Sequence, residues 1–330
     1  MSSLDAAVVQ ESELGRLEPL GRGGTALVFR APDVTLPGID EVVYKLYKPK
    51  IKAKAGPALK PALLSLVRFH AERLQTQQRQ LWNERIVWPL RVVVDDDNTA
   101  TGILMRLIPS NYFHAYTSRT GTPQRKPREV DTLFGSAQDM ANIRMPEIPR
   151  HERLRIVVNI AKSYGMMHYA GIVVGDISGR NIIYDVHTAP SVLVVDADSA
   201  RLQGTRSAFS DQPHTPFWEP PEALRAKRSL QQGGLPPHAV AKLRTEYAMQ
   251  NKETDVFKFG LMVVRILDNG RGRSVNRDPR AAARILRQSV SRDAEDLLHQ
   301  TLDANGRNRP TMRRWYEVLT GKTLASSDTP

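Results

Sequence analysis

From Leu14 to about Leu107 the chain alternates short β-branched or aromatic runs with polar turns. Leu27–Arg30 and Val42–Tyr47 predict strands. Leu90–Val94 and Thr101–Leu107 predict two more, joined by the turn cluster Asp95, Asp96, Asp97 and Asn98. Between them, apolar positions recur at Leu59, Leu63, Leu66, Val67, His70 and Leu74, the spacing of one helix face. Residues 109–150 are rich in Pro, Arg, Ser and Thr and weakly periodic, which predicts a long connection with short helical pieces. After Pro149 a helical pattern returns through Leu154, Val157, Val158, Ala161, Tyr164, Met167 and His168. Residues 172–200 are short apolar runs broken by turns, and amphipathic helices dominate from about Glu222. The expected order is a small sheet lobe holding one helix, then a larger helical lobe: an α+β architecture. The polar residues 1–13 predict a loose tail.

Composition narrows the function classes. The chain has 330 residues, of which 41% are hydrophobic and 25% charged, enough to support a sizeable core. There is no cysteine, which excludes a disulfide scaffold and a cysteine zinc site. The opening Met1-Ser2-Ser3-Leu4 lacks the features of a signal peptide, and no apolar stretch is long enough to span a membrane. A cytoplasmic location is the expectation. The formal net charge of +12 favours anionic partners. It gathers in three runs expected in loops: Lys45, Lys48, Lys50, Lys52 and Lys54; Arg119, Arg125, Lys126 and Arg128; and Arg271, Arg273, Arg277 and Arg280. These are solvated faces or a surface for an acidic partner. No zinc-finger spacing, RNA-recognition signature or aromatic stacking set points to nucleic acid.

Four segments carry candidate chemistry. In Leu20–Phe29, Gly21, Gly23 and Gly24 lie in a glycine-rich stretch, with Ala26 and Val28 completing a G-x-G-x-x-A-x-V pattern. Glycines let backbone amides approach phosphate oxygens, although a plain turn between strands would look similar. Lys45 ends an apolar run and could reach phosphate or simply be solvated. Asp176 and Asn181 frame a polar loop after Gly171-Ile172-Val173-Val174-Gly175. There the Asp can orient or accept a hydroxyl proton and the Asn can bind a metal, or the segment is an Asx-rich turn. Asp196 and Asp198 follow the apolar run Val192–Val195, suiting a hard cation or a surface turn.

In this order and near this spacing the segments resemble the Gly-rich loop, strand lysine, catalytic loop and metal loop of eukaryotic-like (Hanks-type) serine/threonine protein kinases. Three more motifs extend the likeness. Thr215-Pro216-Phe217-Trp218-Glu219-Pro220-Pro221-Glu222 resembles the substrate loop ending in A-P-E. Asp255–Gly260 resembles the D-V-W-S-F-G helix. Arg307–Thr311 resembles the closing R-P-T segment, in which Arg309 would pair with Glu222. The resemblance covers roughly residues 14–320. It implies a bilobal protein-kinase-like fold over 14–322, with a β-rich N-lobe at about 14–107, a hinge and insertion at about 106–150, and an α-helical C-lobe at about 150–322. Tails would occupy 1–13 and 323–330. It further implies ATP and Mg²⁺ (or Mn²⁺) as cofactors and an unidentified protein substrate, with the kinase itself among the candidates. Gly21, Gly23, Gly24, Ala26 and Val28 would cover the nucleotide, and Lys45 would hold its phosphates. Met105 would be the gatekeeper, with Arg106–Ile108 the hinge to adenine. Asp176 would orient the acceptor hydroxyl beside Thr215, and Asn181 and Asp196 would hold the metal.

The chain departs from the family pattern at informative places. H-R-D is Val174-Gly175-Asp176, so the arginine that pairs with a phosphorylated activation loop is missing. Ser178 stands where the family has a lysine, and Arg180 is the available substitute cation. D-F-G is Asp196-Ala197-Asp198, similar to an atypical bacterial branch with D-x-D; Asp198 adds a metal ligand or shapes the loop. Glu72 is nearest by spacing to the helix glutamate that pairs with the strand lysine, yet it lies off the apolar face. His168 reads as core packing. Ser199, Thr205, Ser207 and Ser210 are candidate autophosphorylation sites. The expected activity is transfer of the ATP γ-phosphoryl group to Ser or Thr of proteins. The alternatives are a pseudokinase acting as an ATP-binding or scaffolding module, and a small-molecule phosphotransferase.

Overall fold

The computed structural model describes residues 7–117, 121–187, 192–205, 207, 209 and 214–322. Arg119, Ser191, Ser210 and the expected C-terminal tail lie outside them. The chain forms two compact units, one gathering Met1–Ser110 and Val195–Ser210, the other Asn111–Val194 and Asp211–Thr329. The architecture is mixed, with a sheet-rich N-terminal part and a helical C-terminal part. Residues 195–210, expected in the later lobe, group with the first unit.

The first unit is built on a six-stranded sheet in the order β1-β5-β6-β4-β3-β2. Its strands are β1 (Val8–Gln10), β2 (Glu18–Arg22), β3 (Ala26–Arg30), β4 (Val42–Tyr47), β5 (Arg91–Val94) and β6 (Ala100–Arg106). The expected strands therefore stand within a residue or so of their predicted limits. The loose tail does not hold from Ala7 onward: β1 pairs in parallel with β5, Val8 opposite Val92, and Ala7 is buried. Central β4 is antiparallel to both β3 and β6. Beside it, β6 comes so close at Gly102 that a Cβ would sit 2.2 Å from the Lys45 carbonyl oxygen, so only glycine fits.

Period-two alternation sorts the sheet into two faces. Ala26, Tyr47, Val92, Val94 and Ile103 pack with α2 (Leu59–Arg68) through Leu59, Leu63 and Val67. Val42, Tyr44, Val93 and Leu104 pack on the other side with Leu14, Leu36 and Leu90. Each fully buried leucine of that helix face contributes about 1.5–3 kcal/mol. The helix α2 then widens into a π turn, Phe69–Arg73, which buries both Phe69 and His70. Phe69 meets Trp82 and Trp88 at 5.2 and 5.8 Å between ring centres, and the two indoles meet edge-on at 5.1 Å.

Among its described residues the unit holds three α-helices rather than the one expected. The lysine-rich run expected in a loop winds into α1 (Pro49–Ala55) after Lys48. Pro49 presets the first helical φ, and Lys52 and Lys54 sit in the last turn, where cations favour the helix dipole. Helix α3 (Thr76–Arg85) has no apolar stripe to betray it, because Trp82 is its only buried residue. It starts instead on a Gln75–Gln78 capping box.

In the second unit the expected irregular connection contains an exposed antiparallel hairpin of β7 (Phe113–Thr117) and β8 (Pro123–Pro127). Arg125 and Lys126 lie over the Phe113 and Tyr116 rings, both at 5.4 Å, and these two members of the second basic run are in a strand rather than a loop. A 3-10 turn at Val130–Phe134 and α4 (Ala137–Asn142) follow. Then come α5 (Arg150–Tyr169), a short antiparallel pair of Ile182–Tyr184 with Val192–Val194, α6 (Pro221–Gln232), α7 (Pro237–Ala248) and α8 (Lys252–Leu267). The set closes with α9 (Arg280–Ser289), α10 (Arg292–Thr301) and α11 (Met312–Thr320). Of the third basic run, Arg280 opens α9 and Arg273 begins a 3-10 turn.

Helix α8 is the axis of this unit: every residue from Thr254 to Leu267 is buried. A reciprocal cap starts it. Asn251 Oδ1 accepts from the Thr254 amide at 2.8 Å, and Thr254 Oγ1 accepts from the Asn251 amide at 2.9 Å. Helices α5, α9 and α10 pack around it. Among the described residues no helix is long and apolar enough to cross a membrane.

Candidate functional site

The predicted site residues fall into one cluster in each unit. In the first, the register sets Val28 of β3 opposite Lys45 and Ala26 opposite Tyr47. Gly21 lies in β2, and Gly23 and Gly24 form the turn to β3, closed by the Gly23 amide on the Ala26 carbonyl at 2.9 Å. Lys48 Nζ donates to the carbonyl oxygens of Gly23 and Gly24 at 2.5 and 3.2 Å. These three glycines are exposed. None has a positive φ, and an added Cβ would meet nothing at Gly21 or Gly24. Packing inside the protein therefore does not require glycine there. Met105 lies opposite Val43 in β6, and the chain leaves the sheet through Leu107, whose amide donates to the Glu41 carbonyl at 2.9 Å. Met105 and Ile108 are half-buried.

Lys45 is buried, and its ammonium meets two carboxylates: Asp196 Oδ1 at 2.8 Å, and Asp198 Oδ1 and Oδ2 at 2.7 and 2.9 Å. Tyr47, two residues on and on the same strand face, donates to Asp198 Oδ2 at 2.7 Å. Burial works against the lysine cation, but the two aspartates outweigh it and raise the Lys45 pKa. Lys45 in turn lowers that of Asp196. Burial and Asp198 raise the Tyr47 phenol well above its ordinary value, so it stays a donor. Asp196 adopts a left-handed backbone, φ 55, at the bend leading into the 3-10 turn Ala197–Ser199. The expected Glu72 partner is not used: Glu72 is exposed on the π turn, and the lysine is paired from the Asp196–Asp198 loop instead. Among the candidate phosphoacceptors, Ser199, Thr205 and Ser207 donate to the backbone carbonyls of Asp196, Leu202 and Ser199.

In the second unit Asp176 is held from three sides. Oδ1 accepts from Thr215 Oγ1 at 2.7 Å, Oδ2 accepts from Asn181 Nδ2 at 3.1 Å, and the Asp176 carbonyl accepts from the same amide at 2.6 Å. The loop before it hangs on Asp255 of α8. The buried Asp255 carboxylate accepts from the amides of Val174 and Gly175 at 2.8 and 2.9 Å and from His168 Nε2 at 3.1 Å. Gly175 bends there with φ 75, a conformation that disfavours any side chain. Its carbonyl accepts from Lys258 Nζ at 2.5 Å. Lys258 is buried, and desolvation brings its pKa down to about 8.

The Thr215–Glu222 loop is fixed with equal care. Phe217 has φ 71, and its carbonyl accepts from Arg265 and Arg277 at 2.6 and 3.1 Å. The Arg265 guanidinium also stacks over Trp218 at 4.2 Å. At the loop's end Glu222 and Arg309 form a two-pronged pair, both bonds 2.8 Å. Arg180 is exposed and pairs with Asp131 at 3.5 Å. Ser178 is buried.

Chemically, the first cluster offers a cation and an exposed carboxylate, and the second offers a carboxylate already accepting from an alcohol. Asp196, and the side-chain oxygen Asn181 keeps while its amide nitrogen serves Asp176, are hard oxygen donors of the type Mg²⁺ takes. Among the described residues no three His, Asp or Glu side chains gather as a ready metal cage.

Sequence reasoning named the chemistry but missed the supports. Tyr47 was findable as the i+2 neighbour of Lys45 on a strand, and Lys258 as a charge inside the apolar run Val256–Leu267. Compared with known proteins, the chain matches no family model and no curated sequence.

Proposed function

We propose that this chain is a protein-kinase-like phosphotransferase that uses ATP and Mg²⁺ to phosphorylate Ser or Thr hydroxyls of a protein. The observation that carries this reading is Asp176, whose carboxylate accepts a threonine hydroxyl on one oxygen and an asparagine amide on the other. A carboxylate so held can orient an incoming alcohol and receive its proton, and the Thr215 bond supplies a local example of that geometry. The unencumbered glycines at 21, 23 and 24 and the buried Lys45 cation supply groups suited to phosphate. Asp196 is a carboxylate suited to Mg²⁺ and Asn181 an oxygen donor of the same hard class, and a bound metal would neutralise phosphate charge. The chain's own residues then act mainly by positioning: Asp255 and Lys258 fix the Asp176 loop, while Arg265, Arg277 and Arg309 fix the loop expected to meet a polypeptide.

The second reading, nucleotide binding without transfer, is favoured by Ser178, which leaves no cation beside Asp176 at the family's lysine position. Labelled ATP, Mg²⁺ and a generic protein acceptor separate the two. Transfer to Ser or Thr, lowered about 10²-fold or more in Lys45→Met, Asp176→Asn and Asp196→Asn, is the expected result. Nucleotide binding with no transfer to any acceptor would favour the second reading.

A further inference from the structure

Two aspartates converge on Lys45, and they differ in what they leave open. The Asp196 side chain is 56% exposed and that of Asp198 is 4% exposed. Asp198 spends both oxygens inside the protein: Oδ1 on the ammonium at 2.7 Å, Oδ2 on the ammonium at 2.9 Å and on the Tyr47 hydroxyl at 2.7 Å. Asp196 gives the ammonium one oxygen, at 2.8 Å. A hard cation needs carboxylate lone pairs directed into accessible space. Asp196 has them, whereas those of Asp198 are committed to the buried Lys45 ammonium and the Tyr47 hydroxyl, and the Tyr47 ring is itself held edge-on to Phe209 at 5.6 Å.

We propose that Asp198 is a positioning residue, not a metal ligand: with Tyr47 it clamps the Lys45 ammonium, and it leaves Asp196 as the carboxylate available to a cation. The acid that fixes the lysine therefore comes from the loop two residues beyond the metal-binding position, not from helix α2 or its π turn, where Glu72 points to solvent. The use of the clamp rests on the phosphotransfer reading; its existence does not.

The test has a ligand-free arm and a nucleotide arm. Without ligand, the thermal midpoints of wild type, Lys45→Met, Asp198→Asn and the double variant form a cycle. Each single change removes one partner of the same buried ion pair, so the double variant should lose clearly less than the sum of the two. Additive losses, or an Asp198→Asn protein more stable than wild type because two repelling acids were separated, would overturn the clamp. Tyr47→Phe with Asp198→Asn gives the same cycle if Lys45→Met does not fold. In the second arm, a fluorescent ATP analogue is titrated with Mg²⁺. Asp196→Asn should raise the Mg²⁺ needed for half-maximal binding by about tenfold or more, whereas Asp198→Asn leaves it nearly unchanged. An equal rise in both would make Asp198 a ligand. If the wild type binds no nucleotide, the phosphotransfer reading fails, and the ligand-free cycle still decides the clamp.

Discussion

Asp255 shows how much one side chain can hold. It sits fully buried near the start of α8 and accepts two consecutive backbone amides and a histidine, the three groups that shape the bend before Asp176. Backbone amides left without partners in a buried place each cost about 1–3 kcal/mol. Asp255→Ala should therefore lower the unfolding free energy in urea by about 3 kcal/mol or more. It should also loosen Asp176 and reduce any phosphotransfer beyond what the stability loss explains. The neighbouring Lys258 works on the same bend from the carbonyl side, so one helix grips Gly175 by both its N–H and its C=O. Gly175 takes φ 75 at this bend, a backbone region that glycine occupies without strain.

At the scale of elements, the join between α6 and the segment before α11 depends on Glu222 and Arg309. The guanidinium is fully buried, lies 4.8 Å from the Phe257 ring and also donates to the carbonyls of Asp303 and Glu253. Glu222 keeps a third of its side chain exposed. Glu222→Ala should cost about 2–3 kcal/mol in chemical denaturation, below the range for a fully buried pair because water already reaches the carboxylate. Arg309→Lys should cost nearly as much, since a single ammonium cannot reproduce two parallel bonds. The pairing itself was legible in the sequence as an expectation from resemblance. Elements were legible in proportion to their apolar period. Strands β3 to β6 and helix α5 declare themselves through β-branched runs and a helical stripe. Helix α3 buries one tryptophan and declares nothing, and the β7–β8 hairpin is hidden because basic and turn-forming residues fill it. Parallel pairing with β5 fixes Val8–Gln10 as a strand inside a stretch whose polar residues otherwise read as a tail.

For the whole molecule, acid is the predicted weakness. His70 is buried, donates from Nε2 to Asn83 Oδ1 at 2.7 Å, and has its pKa lowered to about 4 by burial and by nearby Arg79 and Arg91. His214 is buried against Tyr247, and burial with the Lys258 charge lowers it to about 3. Both folded values lie below the unfolded value of about 6.5, so the unfolded chain binds the extra protons. The stability they contribute is fully present above about pH 6.5 and is lost as pH falls toward 4, by up to about 1.4 kcal/mol per pH unit for each histidine. Urea unfolding at a series of pH values should show that slope, and His70→Gln should remove roughly half of it. The burial of His70 was readable, because it stands on the apolar face at Leu59–Leu74, but that of His214, in a segment with no apolar period, was not. The candidate chemistry was readable because it rests on residue type and spacing. The Lys45 clamp was not, because it joins residues more than 150 positions apart through side chains only the folded sheet aligns.

The aromatic packing has an optical consequence. The chain has four tryptophans, and they divide evenly: Trp82 and Trp88 meet edge-on in the first unit, while Trp218 under Arg265 and Trp315 edge-on to Phe259 belong to the second. All four are buried, so each emits from a dry environment and shifts to longer wavelength when its surroundings open. A protein keeping only the first pair reports on the sheet unit alone, and one keeping only the second reports on the helical unit alone. The native chromophores thus make each half of the molecule separately visible without any added dye.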